Sequence, residues 1–211
     1  MKKLAFIFIM YFFCSSCITK DRNFIYQSDR EWIFDACFYN EIKELTNIIE
    51  VKMKTELSND TLAFVNYEYN GIKQGSSFVE NQERVSFVSP KLDVFAFTPI
   101  LPYPAVSFPP SKKSKSTITS ENIGEYANKE ELDGLTFLQK MQQQNETENF
   151  EYNGTQLLCY KIEGWNTSHV EEFGQYKVTY FFNERFGFVR FLYEKPDGSI
   201  VDMRLKQTNF D

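Results

Sequence analysis

The sequence predicts an α+β domain dominated by antiparallel sheet, with about two covering helices. Three features carry that expectation: long stretches in which apolar and polar residues alternate, turn signals closely spaced between them, and two segments whose apolar residues recur at helical intervals. A chain of 211 residues suits one domain with a small appendage and is long enough for a substantial core. With 22 Phe, 12 Tyr and 2 Trp it is too aromatic to be disordered, and 4 Cys in this length do not make a disulfide-stapled miniprotein. The balance of 23 basic against 29 acidic residues, net −6, lacks the electrostatic footprint of a nucleic-acid binder or of a polybasic membrane surface.

Lys2 and Lys3 precede an unbroken apolar run, Leu4 to Phe13. A bilayer-spanning helix needs about 20 such residues, so this shorter run reads as the core of a secretory signal peptide covering residues 1–16. The Ser16–Cys17 bond is the cut on two readings. In one, Cys14 and Ser16 are the small side chains an ordinary signal peptidase requires. In the other, Cys14-Ser15-Ser16-Cys17 resembles the lipobox of bacterial lipoproteins, usually Leu-(Ala/Ser)-(Gly/Ala)-Cys, with Cys14 departing from the Leu. That resemblance implies that Cys17 becomes a lipidated N-terminus whose acyl chains, palmitate among them, anchor it stably in a membrane. Removal of the leader leaves 195 residues, 21 basic and 29 acidic, and keeps 31 of the aromatics. Residues 17–27 then form the lipidated Cys and its tether, and residues 28–211 form the domain.

Ser28 and Glu31 have the spacing of a capping box, and Trp32, Ile33, Ala36, Cys37, Ile42, Leu45 and Ile48 follow at near-helical intervals. A helix from Asp29 to Leu45 is predicted, with a strand as the alternative because of the aromatics in Phe34 to Tyr39. From Val51 to Leu57 the period is two; Ser58-Asn59-Asp60 turns into a strand from Thr61 to Tyr69, and Asn70-Gly71 is a hairpin signal. Strands are expected near Ser76 to Glu80, Arg84 to Ser89 and Asp93 to Thr98. Residues 90–110 hold six of the seven prolines together with Phe95, Phe97, Tyr103 and Phe108, and residues 111–120 read as a flexible Ser/Lys/Thr loop. Leu132, Leu135, Leu138 and Met141, behind acidic Glu130, Glu131 and Asp133, predict a second helix from Asn128 to Gln144. Asn153-Gly154 joins Phe150-Glu151-Tyr152 to a strand from Thr155 to Glu163. A meander of Tyr176 to Asn183, Phe186 to Glu194 and Ser199 to Gln207 follows, its connections too short for anything but antiparallel pairing.

Chemistry is sparse. His169 is the chain's single histidine and lies in a loop, with no nucleophile assigned to it. There is no Gly-x-Ser-x-Gly elbow, Walker loop, dinucleotide fingerprint or zinc-ligand spacing, so no catalytic residue, metal or cofactor is expected. Adjacent carboxylates such as Glu130-Glu131 and Glu171-Glu172 diverge, whereas a hydrolytic pair must converge across a bond. A hydrolase would need such a pair. Cys37 and Cys159 leave two readings open in an exported domain: a disulfide, or two buried free thiols packed as small hydrophobes.

One face of the predicted sheet is continuously apolar: Tyr176, Val178, Tyr180 and Phe182, then Val189, Phe191 and Tyr193, then Val201, Met203 and Leu205. The order of elements, with Tyr180-Phe181-Phe182-Asn183-Glu184-Arg185-Phe186-Gly187-Phe188 and Pro196-Asp197-Gly198-Ser199, resembles the periplasmic lipoprotein-carrier and outer-membrane lipoprotein-receptor group. The resemblance implies a curved, half-barrel-like sheet around an apolar cavity beneath short helices. The expected function is that of an exported, lipid-anchored envelope protein with a non-enzymatic binding or accessory role. Its partners would be the membrane through the anchor and an apolar ligand, such as an acyl chain, or an envelope protein. Phe95, Phe97, Tyr103, Phe108, Tyr180, Phe182 and Phe191 are the candidate lining residues. The alternative is recognition of a glycan or protein at the cell surface, with Trp165, Tyr103 and Phe108 as platforms. Ile18 follows Cys17 in place of the Asp that retains some lipoproteins in the inner membrane, which points to the outer membrane, facing the periplasm or the cell surface.

Overall fold

The computed structural model describes residues 23–57, 63–120, 135–168 and 174–210. Among these residues twelve strands form one sheet: β1 (Glu31–Tyr39), β2 (Leu45–Leu57), β3 (Ala63–Tyr69), β4 (Ile72–Glu80), β5 (Arg84–Phe87), β6 (Ala105–Ser107), β7 (Ser114–Ser120), β8 (Phe137–Tyr152), β9 (Thr155–Ser168), β10 (Lys177–Asn183), β11 (Gly187–Glu194) and β12 (Ile200–Thr208). Their spatial order is β6-β5-β4-β3-β2-β1-β12-β11-β10-β9-β8-β7, antiparallel at every step, and the sheet curls into a nearly closed barrel. The sequence neighbours pair in two meanders, and the β1–β12 pairing joins them.

The α+β expectation is therefore corrected. Among the described residues the only helical turns are single 3-10 turns at Asp93–Phe95 and Thr98–Ile100, where a strand had been expected. No helix among them is long and apolar enough to cross a membrane. The first predicted helix is β1, a turn and the start of β2. Trp32, Phe34 and Ala36 are buried at a period of two, while Ile42, Leu45 and Ile48, which a helix would have turned inward, are exposed. The alternation of large aromatics outweighed the coincidental 3.6-residue spacing. Of the second predicted helix, residues 137–144 belong to β8, and residues 128–134 lie outside the described residues. Phe137, Gln139 and Gln143 are the buried positions there, so the inward face is marked by glutamines that a hydropathy reading assigns to solvent. The 111–120 segment, expected as a loop, forms β7 from Ser114 onward and pairs with β8.

The two ends of the barrel are closed differently. At the end where β1 begins, Ile25 and Tyr26 are buried and their backbone N–H groups donate to the Glu80 carboxylate at 2.8 and 2.7 Å. The expected free tether is thus docked from this point on. Tyr26 lies against Trp32, Phe78 and Phe87, and its hydroxyl accepts the Phe188 N–H at 2.8 Å. Gly187, at φ +78°, makes room for it, since a Cβ there would sit 2.2 Å from the Tyr26 hydroxyl. The β8–β9 arm folds over the same end, bringing Tyr152 to 5.1 Å from Phe186. The opposite end and the interior are filled by residues 88–104.

The outer face of the sheet is polar and largely self-paired. Asp202 accepts two parallel bonds from Arg190, at 2.8 and 2.9 Å, and a further one from Arg204 at 2.8 Å. Arg190 also lies 5.0 Å above the Phe181 ring. Lys206 bridges Asp35 and Glu50 on the neighbouring strands, at 3.1 and 3.2 Å. Burial opposes the charge on Asp202, but the two guanidinium groups outweigh it and hold the carboxyl below the ordinary aspartate range.

Candidate functional site

Residues 88–104 occupy the concave apolar face of the sheet. This segment is rich in proline and lacks the donors for a regular ladder, so its carbonyls are satisfied mainly by side chains reaching in from the wall. Tyr67 donates to the Val88 carbonyl at 2.9 Å, Tyr69 to Leu92 at 3.0 Å, Gln139 to Pro99 at 2.8 Å and Tyr180 to Pro102 at 2.7 Å. Gln74 accepts the Lys91 N–H at 2.9 Å, and Thr98 folds back onto the Pro90 carbonyl at 2.6 Å. Pro102 reaches the backbone of β9 because residue 164 is glycine: a Cβ there would meet the Pro102 ring at 2.6 Å. Removal from water raises the phenol of Tyr69 to about 12 and pushes those of Tyr67 and Tyr180 well above the usual range, so all three remain neutral donors.

The candidate lining residues come together around this inserted segment, as its own packing. Phe95 is fully buried edge-on to Tyr69 at 5.1 Å and lies 6.0 Å from Phe38. Phe97 packs between Tyr193 and Tyr176, with the Lys195 ammonium 4.9 Å from its ring. Tyr180 and Phe191 are 5.7 Å apart in the wall behind, and Phe182 receives Phe108 at 5.7 Å. Tyr103 is half-buried in the seam between the ends of the sheet, a cleft of about 280 Å³ shared with Arg84, Ser116, Ile118 and Met141. Sequence reasoning missed Gln74, Gln139 and Gln143, since no apolar pattern singles out a buried amide whose partners are backbone N–H and carbonyl groups of a distant loop.

Gln143 closes the seam. Its amide oxygen accepts the Ser107 N–H at 2.8 Å, and its nitrogen faces the carbonyls of Ser107, Pro110 and Lys112 at 2.9, 3.0 and 2.8 Å. One side chain of β8 thereby ties β6 and the following turn to the far edge of the sheet.

Cys37 and Cys159 are free thiols, and three strands separate β1 from β9 in the sheet. At about 4.8 Å per strand this is well beyond the reach of a disulfide. Cys37 is half-buried opposite Asp202. Cys159 is buried, and burial followed by the nearby Glu148 charge pushes its thiol up to about 12. His169, Glu130, Glu131, Glu171 and Glu172 lie outside the described residues, and no cluster of three or more potential metal ligands occurs among the described ones.

A second concavity lies on the outer face over β9 and β10. It has a volume of about 390 Å³ and is lined by Glu163, Trp165, Gln175, Lys177, Thr179 and Glu194 over the backbone of Gly164 and Val178. The register places Lys140, Trp165, Lys177 and Glu194 in one row across β8, β9, β10 and β11. Trp165 is half-buried there, in contrast to the fully buried Trp32, whose indole donates to the Phe186 carbonyl at 2.7 Å.

No family model and no curated protein matches the chain. Among solved structures, a Parabacteroides distasonis protein described as a "putative lipoprotein" superposes with a TM-score of 0.52 at 9% identity, over 88% of this chain and 97% of that one. A Bacteroides fragilis exported protein described as having a YmcC-like fold gives 0.45 at 11% identity, over 88% and 98%. The hypothetical lipoprotein YmcC of Escherichia coli gives 0.40 at 11%, over 89% and 91%. The first of these shares the fold of this chain. The resemblance expected from the sequence thus holds at the level of fold: an antiparallel sheet curves around an apolar face, without the covering helices among the described residues.

Proposed function

We propose that this chain is an exported, lipid-anchored protein of the bacterial outer membrane with a non-enzymatic binding or accessory role, exercised at its outer surface. The lipobox-like residues ending in Cys17 support the anchor, and the fold shared with a protein described as a lipoprotein is in keeping with it. The observation that carries the surface role is the filling of the concave face by residues 88–104, which leaves the wall aromatics Tyr180, Phe182 and Phe191 in contact with the protein's own chain. From Cys17 to the docked Ile25 the chain spans at most about 28 Å, so the end of the barrel where β1 begins faces the membrane. The turns at residues 40–44, 70–71 and 195–199 face away from it.

Metabolic labelling with an alkyne palmitate tests the anchor. The wild-type chain is expected to be labelled and to sediment with membranes, and Cys17→Ala to lose both properties. An unlabelled wild-type chain overturns it. A carrier of acyl chains is the second reading, favoured by one observation: side-chain bonds and two short turns, in place of a strand ladder, hold residues 88–104 in the barrel, and their departure would bare an aromatic wall. Native mass spectrometry of the mature protein in detergent separates the two. The surface role predicts no lipid beyond the covalent acyl chains; one bound lipid per chain supports the carrier and overturns the surface role.

A further inference from the structure

We infer that the outer groove over β9 and β10 is a saccharide-binding site in which the Trp165 indole is the stacking platform. The inference deepens the surface role proposed above by naming the class of ligand. The alternation of the strands turns Glu163 and Trp165 of β9, Lys177 and Thr179 of β10 and Glu194 of β11 to the same outward face, while Gly164 and Val178 between them supply a low floor. The twist of the sheet makes the row concave. Its volume of about 390 Å³ lies within the range of small-ligand sites and suits one or two sugar rings.

The polar groups of the groove differ from those of the ion-pair network on the neighbouring strands of this face. Asp35, Glu50, Arg190, Asp202, Arg204 and Lys206 are all committed to one another. Among the described residues, the indole N–H of Trp165, the ammonium of Lys177, the hydroxyl of Thr179 and the amide of Gln175 make no hydrogen bond to protein. Glu163 is fixed in advance by Lys161 at 3.1 Å and Gln144 at 3.3 Å, and it still presents acceptor lone pairs. The site therefore offers donors, acceptors and one aromatic face together.

That combination selects among ligand classes. A sugar hydroxyl both donates and accepts, so it can satisfy Lys177 and Glu163 at once, while the C–H face of the ring lies on the indole. An acyl chain would strip water from Lys177, Glu163 and Glu194 without replacing it. Nucleic acid is disfavoured by those two carboxylates and by the chain's net charge of −6. An extended peptide cannot add as a strand, because β9 and β10 are interior strands already paired on both sides. The groove lies toward the end of the barrel opposite the docked N-terminal segment, and so away from the anchor point.

Isothermal titration calorimetry of the mature protein with maltotetraose, cellotetraose, tetra-N-acetylchitotetraose and tetragalacturonate tests this. Saturable binding of at least one is expected. Trp165→Ala should weaken it about tenfold or more, and Lys177→Ala and Thr179→Ala should weaken it less. Ile48→Ala, at an exposed position of β2, should leave it unchanged, and circular dichroism should show each variant folded. Absence of binding by all four sugars at about 10 mM, or binding that survives Trp165→Ala at full affinity, overturns the inference. Neither result touches the anchor, which the palmitate label reads separately.

Discussion

Replacing Gln143 by leucine should destabilise the barrel far more than one exchanged side chain would suggest. The residue is 1% exposed, and its amide serves the Ser107 N–H and the carbonyls of Ser107, Pro110 and Lys112. Leucine has similar bulk and no polar atoms. The Lys112 carbonyl in its exposed turn and the part-buried Ser107 carbonyl can recover water; the Ser107 N–H and the Pro110 carbonyl have less access to it. Two stranded groups at about 2 kcal/mol each, less about 1.5 kcal/mol for the leucine's burial, give a loss of about 2.5 kcal/mol. For a domain of this size that lowers the melting temperature by roughly 5–10 °C. Gln139→Leu, which forfeits the single bond to the Pro99 carbonyl at 2.8 Å, should cost only about 1 kcal/mol. Urea titration followed by tryptophan fluorescence, with thermal melts beside it, measures both. A Gln143→Leu protein within 1 kcal/mol of wild type, or no less stable than Gln139→Leu, refutes the view that this amide closes the barrel.

Asp202→Asn should destabilise by about 2 kcal/mol, because it leaves the largely buried Arg190 without its carboxylate and facing Arg204, whose half-exposed guanidinium stays solvated; chemical denaturation at pH 7 reads the loss. Since the folded carboxyl titrates below its unfolded value of about 3.9, its contribution is complete above that pH and disappears as pH falls through the lower folded value. Wild type should accordingly lose more stability than Asp202→Asn on acidification below about pH 4, and parallel slopes for the two proteins would contradict this. Gly187→Ala should cost about 2 kcal/mol or more by driving a methyl into the Tyr26 hydroxyl at a φ of +78°, measurable as a fall in the urea midpoint. Alkylation of the Cys17→Ala chain, denatured without reductant, should label both Cys37 and Cys159, whereas in the native protein Cys159 should resist at pH 8; a disulfide mass would refute the free-thiol assignment.

The strands were legible where the chain alternates and turns tightly. Asn70-Gly71 and Asn153-Gly154 do join hairpins, with all four residues at positive φ, and the C-terminal meander pairs as its short connections require. The segment Glu31–Tyr39 was ambiguous because Trp32, Ile33, Ala36 and Cys37 satisfy a helical interval while Trp32, Phe34 and Ala36 satisfy an extended one. Tertiary pairing with β2 and β12, absent from any local window, decided it. The gathering of the candidate aromatics was foreseeable from composition, but the identity of what they enclose was not. That depends on Gln74 meeting the Lys91 N–H, and on Gln139 and Tyr180 meeting carbonyls up to 78 residues away. The outer groove was hidden for the same reason, since Trp165, Lys177 and Glu194 become neighbours only through the register of three strands.

The central claim is that residues 88–104 remain in the barrel as part of its core. Amide hydrogen exchange of the mature protein, read residue by residue by NMR, tests it most directly. The amides of Phe87, Phe95 and Leu101, bonded to Pro104, Leu92 and Thr98, are expected to exchange within about tenfold of the slowest amides of β11 and β12, through opening of the whole domain. Exchange of these amides about a thousandfold faster, with β11 and β12 still protected, would show the segment leaving the barrel by itself and would contradict the account.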